Sequence, residues 1–323
     1  MIVVTGGAGF IGSAFIWKLN SLGIEDILVV DELGESEKWR NLVNRKYSEY
    51  LHKKDFLRMV ENDEVPFAVS AVIHMGACST TTERDVDYLM ENNYRYSCRL
   101  ADWALQRGVR FIYASSAATY GDGSRGFSDD DGVTPTLRPI NIYGYSKQRF
   151  DLWVLRRGLD RKVAGLKFFN VFGPNEYHKG DMTSVVFKAF GQIHQTGKVN
   201  LFKSSRPDYG DGGQMRDFVY VKDCTEVLHW LLEHGEVNGI FNVGTGRARA
   251  WNDLIRAVFA ALGRDSEIEY IDMPPELRHQ YQYFTEAKMD KLRSRGCGAA
   301  FGSLEETVRD YVVNHLQKAD PHL

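Results

Sequence analysis

The stretch Thr5-Gly6-Gly7-Ala8-Gly9-Phe10-Ile11-Gly12 constrains this chain more than any other part of it. It follows the apolar run Ile2–Thr5 and opens a helical pattern, so backbone amides at a helix N-terminus face whatever lies beyond the strand end. Gly6, Gly9 and Gly12 repeat at the spacing G-x-x-G-x-x-G. Such glycines allow a tight turn, close approach of a phosphate and close packing of helix on strand. Asp31 ends the next apolar run, about twenty residues further on, where a carboxylate can accept hydrogen bonds from ribose hydroxyls. Loop and carboxylate together predict a dinucleotide site; the loop alone would also suit a structural turn.

The surrounding pattern agrees. Apolar, β-branched runs at Ile2–Thr5, Ile27–Asp31, Ala68–His74, Val109–Ser115 and Val163–Asn170 alternate with helical periodicity over Phe10–Leu22, Asp85–Arg107 and Tyr143–Arg157. Alternation of this kind predicts an α/β fold with a doubly wound parallel sheet, the Rossmann fold. After Asn170 the rhythm changes, through a turn at Gly173-Pro174, a helix to about Gln195 and a Gly/Asp-rich loop at Tyr209–Gly213. The runs Phe218–Val221 and Ile240–Val243 are expected to join the main sheet or its edge, and helices are expected over Asn252–Leu262 and Ser303–Leu316. The division that follows is a dinucleotide-binding part, 1–170 and 217–247, and a smaller discontinuous substrate part, 171–216 and 248–323.

A net charge of -3 with both signs mixed gives no reason to expect a nucleic acid or membrane partner. The N-terminus lacks a signal sequence and nowhere do eighteen apolar residues run together, so a cytoplasmic protein is expected. Cys78, Cys98, Cys224 and Cys297 are far apart and the histidines lack ligand spacing, so neither disulfide nor metal is expected.

Tyr143 and Lys147 stand four apart near a helix start, hence on one helix face. Such a pair also arises by chance on amphipathic helices. A tyrosine serving as a base near neutrality needs its pKa lowered from ~10 by about three units, or roughly 4 kcal/mol of preferential stabilisation of the phenolate. Lys147 and the positive charge of an oxidised nicotinamide can supply it. Ser115 and Ser116 end the preceding strand, on the side where ligands lie in doubly wound sheets, and Ser116 can hold a substrate hydroxyl there. The small residues of Met75-Gly76-Ala77-Cys78-Ser79 follow another strand end and admit a cofactor. Asp31 and Glu32 favour NAD, whereas Lys38 and Lys53, if folded back toward the adenosine ribose, favour NADP. Arg216 offers a fork suited to a pyrophosphate, or a surface ion pair with Asp217.

With these motifs in this order, the chain resembles the extended short-chain dehydrogenase/reductase family. It resembles most the members that invert C6 of an ADP-linked manno-heptose. The similarity runs nearly end to end, through Thr5–Ser13, Ile27–Asp31, Gly76–Thr82, Tyr113–Gly121, Tyr143–Lys147, Phe169–Pro174, His178–Gly180 and Arg216–Tyr220. The resemblance implies oxidation of C6 by bound NADP and return of hydride to the opposite face, in the synthesis of lipopolysaccharide inner-core precursors. It implies Tyr143 and Lys179 as the acid/base pair, Lys147 as ribose ligand and Ser116 as hydroxyl holder; residues alone leave Lys179 equally readable as a solvated loop lysine. It implies cofactor contacts at Phe10, Ile11, Asp31, Glu32, Lys38, Lys53, Met75 to Ser79 (Met75, Gly76, Ala77, Cys78, Ser79), Asn92, Lys147, Val171 and Lys179. Substrate contacts are implied at Ser116, Asn170, Asp181, Lys188, Phe202, Lys203, Ser204, Ser205, Arg216 and Tyr281, and a homo-oligomer, such as a pentamer, is implied as the assembly. Glu32 stands where the family often has a neutral amide, Lys188 where histidine is expected, and Pro207–Gln214 reads as an insertion. Two rival readings are a UDP-hexose 4-epimerase, which shares the glycine loop, Ser116, Tyr143 and Lys147 but not Lys179, and a non-catalytic dinucleotide sensor.

Overall fold

The computed structural model describes residues 1–275 and 281–323. Among the described residues, a seven-stranded sheet forms the centre, its strands parallel and ordered Gly239–Val243, Val163–Phe168, Arg110–Ser116, Ala71–His74, Ile2–Thr5, Ile27–Asp31, Glu49–His52. The chain starts mid-sheet at Ile2–Thr5, adds strands on one side, then returns to add the rest on the other. The order therefore reverses between Ile2–Thr5 and Ala71–His74, which is where a crevice opens beyond the strand ends.

Helices cover both faces, so the central strands are apolar on both sides rather than alternating. Ile27–Asp31 and Val163–Phe168 are buried at every position. One face packs Phe15, Leu19, Val227 and Leu231, and the other Phe56, Leu100, Trp103, Phe150 and Val154. Each such side chain taken fully from water contributes about 1.5–3 kcal/mol against the entropy of folding. A further apolar cluster joins Val186, Ile193, Leu254, Val258, Val308 and Tyr311, from the helices Val185–Thr196, Trp251–Ala261 and Leu304–Tyr311.

Several expected elements take a different form. The run expected over Val163–Asn170 divides at Phe169, whose N–H reaches Val243 O at 3.0 Å before a short strand, Asn170–Phe172, begins. Phe218–Tyr220 does not join the main sheet; it pairs in parallel with Asn170–Phe172, and Val221 already opens a helix. Ile240–Val243, in contrast, lies on the main sheet edge beside Val163–Phe168, as expected. The helix expected over Asp85–Arg107 begins at Val86 and ends at Gln106, with a π-helical segment, Met90–Arg95, in its middle. An apolar periodicity registers neither a strand's partner nor a widened turn.

Candidate active site

Beyond the strand ends, at the point where the order reverses, lies a cavity of about 950 Å³. Its floor is the glycine loop and the first turn of the helix Phe10–Ser21, which carries no acidic residue and no side-chain cap. The free amides of that turn suit a pyrophosphate. Gly12 is required there: a Cβ would lie 2.1 Å from Gly6 O.

At the end of the next strand Asp31 accepts hydrogen bonds from Ala8 N at 2.8 Å, Glu32 N at 2.7 Å and Lys38 Nζ at 2.7 Å. Lys53 pairs with Glu32 and donates to Asn92 Oδ1 at 2.9 Å. The Lys53 hydrogen bond holds the Glu32 carboxyl below the usual carboxylate range. Both acids expected at the adenosine ribose are thus matched by the two lysines expected there, and all of them line the cavity together with Asn92.

The loop Met75–Ser79 is fastened from below. Gly76 N donates to Thr5 Oγ1 at 3.2 Å, and Thr5 Oγ1 lies 2.6 Å from His74 Nδ1. His74 Nε2 lies 2.8 Å from Ser97 Oγ, which itself donates to Asn93 O at 2.7 Å. Ser97 therefore accepts from Nε2–H and Thr5 donates to Nδ1, a neutral imidazole with both nitrogens satisfied. Burial pushes its pKa down to about 3. Asn93, in the π-helical segment, accepts from Cys78 N at 2.8 Å and donates to Cys78 O at 2.9 Å and to Ser146 Oγ at 3.0 Å, so it joins this loop to the helix that carries Tyr143.

That helix, Ile142–Arg156, is capped by Asn141, whose Oδ1 accepts from Gly144 N at 2.7 Å. Gly144 lets it approach the turn after Ser116, since a Cβ would lie 2.6 Å from Ala118 O. Tyr143 and Lys147 consequently face the end of the strand Arg110–Ser116. Burial pushes the Tyr143 phenol up, while a hydrogen bond with the Ser116 hydroxyl acts against this. Lys147 Nζ donates to Ala114 O at 2.8 Å, and burial lowers its pKa to about 8. The electrostatic help that a phenolate needs is therefore close to hand at neutral pH and weakens above about 8.

Lys179 enters the cavity from the other side, on the 3-10 turn Tyr177–Met182. Its Nζ lies 5.2 Å from the Phe10 ring centroid, a cation–π contact at the first turn of the helix Phe10–Ser21. Burial lowers its pKa, with Glu176 acting the other way. The turn is held by two buried residues that sequence reasoning passed over. Asn175 donates to Ser13 Oγ at 2.9 Å, accepts from Leu323 N at 3.0 Å and through its own carbonyl from Asn41 Nδ2 at 3.0 Å. Glu176 accepts from Ser184 Oγ at 2.7 Å, from Ser184 N and from Tyr311 Oη at 3.0 Å.

Arg216 is buried at the far end between Trp251 and Tyr281, 5.7 and 5.3 Å from the two ring centroids. It donates to Met215 O at 2.8 Å and to Gln282 O. The alternative ion pair with Asp217 does not form. Asp217 instead gathers Thr245 N, Thr245 Oγ1, Gly246 N and Ala287 N at 2.7–3.0 Å.

The cavity thus brings together Gly6, Gly9, Gly12, Met75 to Ser79, Asn170, Val171 and the groups just described. Asp181, Lys188, Phe202, Lys203, Ser204 and Ser205 are not among its lining residues. Lys188 Nζ donates to Asp181 O at 2.6 Å, Lys203 pairs with Asp272 at 3.0 Å, and Ser204 N and Ser205 N donate to Asp211 and Tyr283. Trp251, His178 and Asn141 do line it and were not anticipated. The apolar residue Trp251 sits at a helix start, and only its stacking on Arg216 and its 2.9 Å bond from Nε1 to Tyr281 Oη distinguish it from core.

Comparison with known proteins gives a consistent set. A model of the NAD dependent epimerase/dehydratase family matches residues 2–244. An ADP-L-glycero-D-manno-heptose-6-epimerase of Nitratidesulfovibrio vulgaris is 63% identical over 323 residues, covering 100% of both chains. Among solved structures, the ADP-L-glycero-D-manno-heptose-6-epimerase of Helicobacter pylori superposes with a TM-score of 0.80 at 27% identity, over 97% of this chain and 95% of that one. The UDP-glucose 4-epimerase of Thermus thermophilus, in complex with NAD, gives 0.74 at 27% identity, over 95% and 96%.

Proposed function

The chain belongs to the NAD dependent epimerase/dehydratase family, and from that premise we propose that it interconverts ADP-D-glycero-D-manno-heptose and ADP-L-glycero-D-manno-heptose. The observation that carries the reading is the meeting of Ser116, Tyr143 and Lys147 from one wall of the cavity with Lys179 from the other. Inverting a carbinol centre presents its oxygen in two orientations, and acid/base groups on both walls can serve one orientation each.

The glycine loop, the first turn of the helix Phe10–Ser21, Asp31, Lys38, Lys53, the Met75–Ser79 loop and Asn92 would hold the dinucleotide. When bound, the dinucleotide would supply the acceptor for hydride from the carbinol carbon and the donor for its return to the opposite face. Ser116 holds the substrate hydroxyl and Tyr143 removes its proton, with the Lys147 ammonium stabilising the phenolate. Lys179 returns a proton to the oxygen when the sugar lies the other way round, and serves as base in the reverse direction. Arg216 grips the nucleotide pyrophosphate, flanked by Trp251 and Tyr281. Within the nicotinamide dinucleotides we assign NADP, on the strength of Lys38 and Lys53 at the ribose. Residues 1–170 and 217–247 serve the cofactor and 171–216 and 248–323 the sugar nucleotide. The assigned setting is a cytoplasmic homo-oligomer that supplies lipopolysaccharide inner-core precursors; no described helix is long and apolar enough to cross a membrane.

The test is incubation of the purified protein with ADP-D-glycero-D-manno-heptose, with resolution of the two C6 epimers by NMR. Conversion is expected, and none is expected with UDP-glucose. Conversion of UDP-glucose alone would move the assignment to a hexose epimerase.

A further inference from the structure

Lys167 stands inside the fully buried strand Val163–Phe168. Its Nζ lies 3.4 Å from Asp151 Oδ2, and both side chains are 0% exposed. Taking two charges out of water is costly, and apolar residues of similar volume commonly serve a core as well or better. The neighbours of the pair point to a geometric purpose instead. Asp151 lies one turn beyond Lys147 on the same helix face and accepts from Ser115 Oγ at 2.7 Å and from Tyr113 Oη at 3.0 Å. Lys167 donates to Thr119 Oγ1 at 3.0 Å, and Thr119 Oγ1 donates to Ser116 O at 2.8 Å. The chain of bonds closes on itself, from Asp151 to Lys167, Thr119, the Ser115-Ser116 strand end and back to Asp151. Thr119 is also fully buried.

We infer that this ring, Asp151, Lys167 and Thr119 around the Ser115-Ser116 strand end, is a positioning device that fixes the Ser116 hydroxyl relative to Tyr143. The inference rests on the proposed reaction, in which those two groups meet the substrate hydroxyl. The ring clamps the serine pair at two points, the side chain of the first and the carbonyl of the second. One clamp is anchored on the helix that carries Tyr143 and the other on the adjacent strand. None of the three ring residues lines the cavity, so they act through Ser116 rather than on the ligand.

Two variants test it. Lys167→Met/Asp151→Asn removes both charges and so avoids leaving one buried and unpaired. Thr119→Val keeps the ion pair and the shape but cuts the link to Ser116. For the double variant, kcat is expected to fall roughly 10- to 100-fold with KM within about threefold, because misplacing a reacting group by an ångström costs on that order. Its Tm is expected to stay within about 3 °C of wild type. Thr119→Val is expected to lose about tenfold in kcat at unchanged KM. Crystal structures of both variants should show Ser116 displaced from its wild-type position relative to Tyr143. Wild-type kcat in a folded variant, or an unmoved Ser116, overturns the inference. A wild-type protein that does not epimerise the heptose would defeat the proposed function, and the position of Ser116 in the two variants would still decide this one.

Discussion

Tyr143 and Lys179 face the same cavity from supports of opposite kind. Tyr143 rides the first turn of the helix Ile142–Arg156, which Asn141 caps and which packs against a strand end of the main sheet. Lys179 rides a 3-10 turn whose position depends on Ser184 just beyond it and on four partners far away in sequence: Ser13, Asn41, Tyr311 and Leu323. The first support is built from local rules of spacing and capping. The second is built from long-range hydrogen bonds around Asn175, a buried non-glycine residue at φ 76°. A left-handed backbone is tolerated by asparagine better than by most side chains, and here both the nitrogen and the oxygen of the side-chain amide are bonded.

Replacement of Tyr143 by phenylalanine should break the shared side of this comparison. A kcat loss of about 10³-fold or more is expected, with nucleotide affinity by titration near wild type. Lys179→Met should come next, with a loss of about 10²-fold. If stopped-flow measurement instead found full turnover without Lys179, the second wall would have no part in the chemistry. The supports themselves should then separate. Asn175→Ala forces a Cβ-bearing residue without its amide into the left-handed region and should cost about 2 kcal/mol in denaturant unfolding; Asn175→Gly should cost less. On the other wall, Asn141→Ala should cost about 1 kcal/mol, as loss of a helix cap does. Equal costs for Asn175→Ala and Asn175→Gly would remove backbone strain from the account.

Acid sensitivity touches both supports. His74 lies beneath the Met75–Ser79 loop and His178 on the Lys179 turn, and burial lowers their pKa values to about 3 and about 4. A histidine with a depressed folded pKa binds its proton in the unfolded state first. Stability is therefore whole above the unfolded pKa near 6.5 and declines as pH falls below it. Each should contribute a slope of about 1.4 kcal/mol per pH unit between roughly pH 6 and pH 4. His74→Gln should flatten that slope in urea titrations at stepped pH, and an unchanged slope would count against a neutral His74.

The same contrast explains what could be read without coordinates. The glycine loop, Asp31, Ser116 and the Tyr143-Lys147 pair follow from strand ends and helix spacing, so the reasoning that placed them needed only neighbours in sequence. Phe218–Tyr220 has a strand's composition, but its pairing with Asn170–Phe172 depends on where the main sheet stops. Lys179 came from resemblance alone, since a loop lysine has no periodic signature. Asn175 and Glu176 left no signal, because polar residues after a Gly-Pro turn look like any loop until their partners are known. Arg216 was anticipated for its fork, whereas the aromatic flank supplied by Trp251 was not.

The π-helical segment Met90–Arg95 has a consequence for how this site tolerates change in length. A π turn holds one more residue than an α turn, so its extra residue lies outside the 3.6 period of the helix around it. Asn92 meets Lys53 and Asn93 meets Cys78 and Ser146 from that segment. Deleting a single residue there would give an ordinary helix with better local hydrogen bonding and flanks still in phase, but would remove the widened turn on which the two asparagines sit. The two asparagines would turn away from their partners together. A one-codon deletion that makes the helix more regular would therefore unfasten the Met75–Ser79 loop from the helix that bears Tyr143.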